Sequence, residues 1–522
     1  MSEAKRGLIR ITSNFTRQFF TICLGLLLVR MLLDTVGREG YSVIALMGAS
    51  IGFTQMIQEV VRGCMVKELG TVYHGGESPQ FVRSYNSAFV LSVGVAMFSS
   101  VVFALLAWML PVFRVDTELL GVARVFVLCK GVQTVIMILS APAYNMYLIT
   151  ERMVALNILM VIQRGLLVAS AGALYLLDGN VGEGVLVYGV ASAALVSLMV
   201  VIASGALAWR DRRLVPRPWL ATRGAMRNLA HVGGWNAAVL VSSYLYLPLN
   251  SMLLAALLGN NPWSAIFGVA KIMGGYIFQL GVGVAHGVDA VATRISAIGD
   301  DHSMRRLVQH STRLAAMASL PGLMVVQVLA DPLMRLWLAD RLDDPGVMIP
   351  PAVTYVRILA IGFAARAMTQ GWVNMFYGAG LVRTIGPILL IGGVLNPVIV
   401  FGLFYTLPMD YRFTCVAWSF AFVFVLFSMV LMPMRTVGKL GMSLGDLYSP
   451  ILRPLVAAAA CGPILFLVFG AERVVLWRLA LTVVAYALAY AVVSLRFVVT
   501  PQERKRFLGA LMRKLGAAGA SQ

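Results

Sequence analysis

Acid is what this chain has least of. Against 42 lysines and arginines stand 23 aspartates and glutamates, and charged residues make up only 12% of 522. Soluble domains carry about 25% charged residues, so a soluble fold of ordinary size is excluded. Cysteine is sparse as well. Cys23, Cys64, Cys129, Cys415 and Cys461 lie singly in apolar segments with no CxxC, which excludes a disulfide framework and a cysteine metal site. No GxxxxGK[ST] run occurs, so ATP is not hydrolysed by that route. No large polar loop is present either. The longest expected outer loop, about 338–350, is too small to carry the catalytic carboxylates of a membrane glycosyltransferase or polymerase, so an enzyme is not expected. The five histidines (His74, His231, His286, His302 and His310) are scattered and read as solvated loop residues.

What the chain has is apolar sequence, with 59% hydrophobic residues and a mean hydropathy of +0.83. A helical span needs roughly 20 apolar residues. Fourteen are expected, at about 18–36, 41–61, 87–110, 119–143, 153–177, 181–208, 232–258, 263–289, 312–337, 351–376, 382–406, 413–434, 451–470 and 476–496. The basic N-terminus runs into the first span with no small-residue cleavage site, so that span is read as retained. The one long polar island is 209–228, with six arginines, two prolines and the single acid Asp211. It reads as a hinge between two blocks of six spans.

The net charge of +19 would suggest nucleic acid in a soluble protein. Here no nucleic-acid partner is expected, because the bases follow the loops. Counting bases within three positions of a span end with the adjoining loop, the termini and the loops after even-numbered spans hold 28 lysines and arginines, and the loops after odd-numbered spans hold seven. That bias places both termini and the hinge in the cytoplasm. Arg62, Lys67 and Arg83, like Arg294, Arg305 and Arg306, belong to this positive-inside set.

The blocks repeat. Met31-Leu32-Leu33 followed by Tyr41-Ser42 returns as Met252-Leu253-Leu254 followed by Trp263-Ser264, and Asn145-Met146-Tyr147 returns as Asn374-Met375-Phe376. An even number of spans per block makes the repeats parallel, with a site expected at their interface near mid-membrane. The expected architecture is all-α and polytopic: an N-lobe (1–208), the hinge (209–228), a C-lobe (229–434), two appended spans (435–497) and a basic tail (498–522).

Seven bases fall inside spans: Arg30, Arg124, Lys130, Arg164, Lys271, Arg357 and Arg366. Acids within spans are few, chiefly Glu59 and Asp289, both near cytoplasmic ends. A charge at the bilayer centre costs at least about 2.5–3.5 kcal/mol. Nearly uncompensated cations should therefore face water or an anion, although long side chains can also lift their heads to the nearer interface. A basic chamber between the lobes is the economical reading. It points to an anionic substrate, with phosphate or pyrophosphate as natural partners of arginine. Outward movement of an anion from a negative cytoplasm gains about 2.3 kcal/mol per charge per 100 mV. Pro142, Pro248, Pro321, Pro387, Pro397 and Pro463 interrupt spans as candidate kinks. The run from Gly281 to Gly287 misses a dinucleotide fingerprint in spacing and reads as helix packing.

Residues 26–84, with LLLVRMLLDTVGREGYSVIALMGASIGF and a later Phe81-Val82-Arg83-Ser84, resemble the opening of polysaccharide flippases of the multidrug/oligosaccharidyl-lipid/polysaccharide exporter superfamily. LPLNSMLLAALLGNNPWSAIFGVAKI (247–272) and NMFYGAGLVR (374–383) resemble the corresponding later segments. The resemblance implies translocation of an undecaprenyl-pyrophosphate-linked oligosaccharide across the bacterial inner membrane by alternating access. It further implies membrane lipids and the polymerase or glycosyltransferases of the same pathway as partners, and no bound cofactor, with coupling to membrane potential, H+ or Na+. A lipid II flippase and a drug or cation antiporter of the same superfamily are the alternatives. Many relatives carry an acid where this chain has Asn250, which leaves the coupling residue unidentified.

Overall fold

The computed structural model describes residues 3–74, 78–150, 152–176, 180–259, 261–285, 288–342, 344–470, 475–499 and 504. Of the residues singled out above, His286, the side chains of Glu59, Arg62, Lys67, Cys64, His74 and His231, and the tail beyond 499 apart from Arg504 lie outside that description. The described residues are nearly all helical and form no strand, as a bilayer requires of chain segments that must satisfy their own backbone hydrogen bonds.

The helices are α1 (Glu3–His74), α2 (Ser78–Met109), α3 (Thr117–Tyr144), α4 (Met146–Ile149), α5 (Met153–Gly172) and α6 (Val181–Arg210). Beyond the hinge come α7 (Arg223–Tyr246), α8 (Pro248–Leu258), α9 (Trp263–Ala285), α10 (Val288–Ile298), α11 (Asp301–Leu338), α12 (Pro345–Gly378) and α13 (Val382–Thr406). The last are α14 (Cys415–Val423), α15 (Met432–Leu440), α16 (Leu444–Cys461) and α17 (Leu476–Phe497). Thirteen segments of the described residues are long and apolar enough to cross a membrane, one fewer than expected. The difference lies in α1. The expected spans 18–36 and 41–61 are consecutive parts of this one element, and the side chains of the second are only partly described.

At 1.5 Å per residue, 72 helical residues would reach about 108 Å, far beyond a hydrocarbon core of about 30 Å. Gly37 breaks the run with φ 62° and ψ −172°, a conformation that costs a residue with a Cβ but not glycine. The second half carries the same device. Gly259, at φ 97°, ends α8 before Trp263 begins α9. Gly37 precedes Tyr41 as Gly259 precedes Trp263, so the repeat read from the sequence extends to a backbone break at matching positions. Two of the six prolines also sit where helix geometry changes. Pro248 opens α8 after the non-continuing Leu247, and Pro463 lies in the 3-10 stretch Gly462–Gly470.

Within the first half, α3 packs between α2 and α6, and α5 lies against α1 and α6. Within the second, α12 is sheathed by α9, α10, α11 and α14, while α7 pairs with α13. Residues α16 and α17 contribute lie against α11. The large aromatic core belongs to the second half, where Trp372, Tyr355, Phe376, Phe267 and Phe420 are almost fully buried. Helix α1 contacts elements of both halves, including α5 and α6 on one side and α7, α8 and α9 on the other.

Candidate functional site

The seam between the halves runs along one stripe of α1. Gln18 donates to the Gln279 carbonyl at 3.1 Å, the Tyr276 hydroxyl donates to the Ile22 carbonyl at 3.2 Å, and Trp337 Nε1 donates to the Leu26 carbonyl at 3.2 Å. Arg30 then pairs with Asp340 at 2.6 Å. Residues 18, 22, 26 and 30 are four apart, so they form one ridge, inclined to the helix axis. That inclination carries the contacts from α9 (Gln279, Tyr276) to α11 (Trp337) and then to the turn after it (Asp340). Gly25 lets the two helices close on this ridge, since a Cβ there would stand 2.5 Å from the Tyr276 hydroxyl.

Two of the seven intramembrane bases approach this seam from opposite halves. Arg164, on α5, lies within electrostatic reach of Tyr188 on α6 and of Tyr276 on α9. Lys271, on α9, stands three residues after Gly268, which packs on Ala45, and four before Gly275. It therefore lies at the margin between the α9 face turned to α1 and the face turned to α12. Neither Arg164 nor Lys271 has a carboxylate partner among the described residues.

The other five bases have different surroundings. Lys130 is 5% exposed, and its ammonium donates to Ser192 Oγ at 2.6 Å and Gln133 Oε1 at 3.1 Å between the rings of Phe126 and Tyr188. Arg366 lies over Phe278, 4.3 Å from the ring centroid, and over Phe424 at 5.3 Å. These are cation–π clamps inside each half, with hydrogen bonds or ring faces in place of an anion. Arg30 has the acidic partner Asp340, so the expectation of an uncompensated cation does not hold there; the acid lies outside the spans, where a count of intramembrane carboxylates misses it. Arg124 and Arg357 are exposed. Arg124 shares its face of α3 with the exposed Val125, Leu128 and Val132, and Arg357 shares its face of α12 with exposed Ile361. The structure thus places Arg164, Lys271 and Arg30 toward the seam, Lys130 and Arg366 against aromatic rings, and Arg124 and Arg357 at exposed positions, with Tyr188 next to both Lys130 and Arg164.

The seam residues that sequence reasoning missed are polar and neutral: Gln18, Tyr276 and Trp337. Their only signal was a polar or amphipathic side chain in an apolar run. Asn250 proves to be committed elsewhere. Its amide donates to the Val416 carbonyl at 3.0 Å, and its side-chain oxygen accepts from Asn396 at 2.7 Å. Asn396 also donates to the Leu245 carbonyl and accepts from Ser419 at 2.9 Å. This closed network ties α8, α13 and α14 together deep in the second half.

Residues 237–401 match the family model described as MatE. The chain superposes on a solved structure of the lipid II flippase MurJ in an inward closed conformation, with a TM-score of 0.70 and 11% identity, over 96% of this chain and 99% of that one. The fold is that of MOP superfamily transporters. An inward-facing multidrug resistance MATE family transporter of that superfamily gives a TM-score of 0.63 at 14% identity, covering 83% of this chain and 99% of its own. A MOP superfamily transporter from Pyrococcus furiosus, described as having a binding pocket of reverse polarity, gives 0.56 at 15%, covering 84% and 96%. No curated protein matches. Two of the three stretches that resembled the superfamily, 247–272 and 374–383, fall inside the MatE match.

Proposed function

We propose that this MOP-fold chain moves an anionic, polyprenyl-pyrophosphate-linked oligosaccharide across the bacterial inner membrane by alternating access of its two halves. The observation that carries the reading is the pair Arg164 and Lys271, two bases that have no acidic partner among the described residues and approach one seam from opposite halves. A guanidinium and an ammonium at such a place suit a pyrophosphate, which offers both bidentate and point-charge acceptors. In the proposed cycle the pyrophosphate enters from the cytoplasmic leaflet, replaces water at Arg164 and Lys271, and leaves outward with the membrane potential. Arg30–Asp340 and Trp337–Leu26 close the seam at the end away from the hinge, and outward release requires them to part. Both termini and the hinge are cytoplasmic in this reading, and no cofactor takes part.

A second reading, a lipid II flippase, is favoured by one observation. The MurJ superposition covers 96% of this chain, whereas the MATE superposition covers 83%. The bacterial strain depleted of its own lipid II flippase separates the two: rescue of growth supports lipid II as cargo. The direct test is flipping of a fluorescent polyprenyl-pyrophosphate oligosaccharide in proteoliposomes. Lys271→Glu and Arg164→Glu should each slow it at least tenfold, and depolarisation should slow the wild type. Equal flipping of a phosphatidylcholine analogue, or unimpaired variants, overturns the proposal.

A further inference from the structure

The hinge is a built surface as well as a linker. Its one acid is taken up locally: Asp211 accepts from Arg213 Nε at 2.9 Å, from Arg213 Nη2 at 2.8 Å and from the Arg213 backbone at 3.0 Å. The Arg213 guanidinium in turn lies over the rings of Tyr73 and Phe81, at the ends of α1 and α2. Behind it a ladder of hydrogen bonds docks the segment on α2. Tyr85 donates to the Leu214 carbonyl at 2.8 Å, the Arg217 backbone donates to Asn86, and the Thr222 backbone donates to Ser87 Oγ at 2.9 Å. Thr222 then caps α7 by accepting from Ala225. The segment is therefore held in one conformation rather than left as a free linker.

What this rigid segment presents outward is uniform in sign. Arg210, Arg212, Arg217, Arg223 and Arg227 are all exposed, and Arg83 is exposed one turn before the docked Ser87. Trp209, at the end of α6, is 81% exposed, and Trp219 is 78% exposed. Tryptophan favours the headgroup level of a membrane, and arginines there attract anionic lipid, each by roughly fivefold in affinity. We infer that the hinge is a binding platform for anionic phospholipid headgroups of the leaflet it faces, with the arginines on the phosphates and the two tryptophans among the acyl-chain ends of the headgroup layer. This assignment is independent of the cargo.

The test is native mass spectrometry of the full-length protein in detergent, titrated with phosphatidylglycerol or with phosphatidylcholine. The wild type should retain phosphatidylglycerol preferentially. A variant carrying Arg212→Gln, Arg217→Gln, Arg223→Gln and Arg227→Gln should lose that preference at least tenfold with phosphatidylcholine binding unchanged. Arg124→Gln with Arg357→Gln, on the wall of the bundle, should keep it. In nanodiscs, brominated phosphatidylglycerol should quench tryptophan fluorescence more than brominated phosphatidylcholine does. The excess should vanish in Trp209→Phe/Trp219→Phe and shrink at high salt. A wild type without lipid preference, or an undiminished preference in the fourfold variant, overturns the inference. Equal quenching by the two brominated lipids also overturns it.

Discussion

The seam along α1 and the interior of the second half are packed with different chemistry. At Gln18, Ile22, Leu26 and Arg30, the second half meets α1 through single hydrogen bonds to backbone carbonyls and one half-exposed ion pair. Around α12, Phe363 packs on Phe420 and Phe420 on Phe424, Tyr355 meets Phe267 and Phe413, and Asn250, Asn396 and Ser419 form a closed network. Isolated hydrogen bonds contribute about 0.5–1.5 kcal/mol each, whereas a buried aromatic removed to alanine costs about 3–5 kcal/mol. The contrast teaches which surface is suited to part and which to move as a unit. The bases within the spans follow the same division: Lys130 and Arg366 are clamped by rings within halves, while Arg164 and Lys271 stand by the seam with no acidic partner among the described residues.

The largest expected effect comes from breaking the interior. Asn396→Ala removes the donor to Asn250 and to the Leu245 carbonyl and leaves buried polar groups unpaired, at about 1–3 kcal/mol for each. Thermal unfolding in detergent should show a clear loss of stability, and an unchanged melting temperature would mean the network contributes nothing. Next in size is the comparison between clamp and seam. Lys130→Met should leave flipping within about twofold of wild type, since its ammonium is already taken up by Ser192 and Gln133 within the first half. A Lys130→Met protein that folds but does not flip would move Lys130 into the transport site.

Smaller again is the far-end pair. Arg30→Ala should cost under about 1 kcal/mol of stability, as exposed pairs do, yet bias the seam toward opening at that end. Cysteine accessibility near Leu26 should rise, and the charge swap Arg30→Asp with Asp340→Arg should restore protection. The smallest effect is at the hinge. Hydrogen bonding from Arg213 holds the Asp211 carboxyl below the usual carboxylate range. A depressed folded value contributes stability above the unfolded value, about 3.9, and that contribution is lost only as pH falls through the folded value. Protection of the 211–222 amides, corrected for the intrinsic pH dependence of exchange, should therefore be flat between pH 5 and 8 and fall only in stronger acid.

The membrane class, the position of nearly every span and the repeat were legible in the sequence, because each rests on local composition. The breaks at Gly37 and Gly259 emerged only from the structure. The seam was not legible. Nothing in the run from Gln18 to Arg30 announces that every fourth residue meets a different element of the other half, because helix pairing is a property of the assembled bundle. The same limit applies to the bases. Depth along a span puts Arg124 and Lys130 in the outer half and Arg164 near the middle, but it does not say that Arg124 is exposed, that Lys130 lies between two rings or that Arg164 stands beside the seam.

The most direct measurement of the central claim is the affinity of the detergent-solubilised protein for a short polyprenyl pyrophosphate, by isothermal titration calorimetry. The account predicts that the double variant Arg164→Glu/Lys271→Glu weakens binding at least tenfold, while Arg124→Glu/Arg357→Glu binds as the wild type does. Equal affinity in the wild type and the seam variant, with both proteins folded, would contradict it.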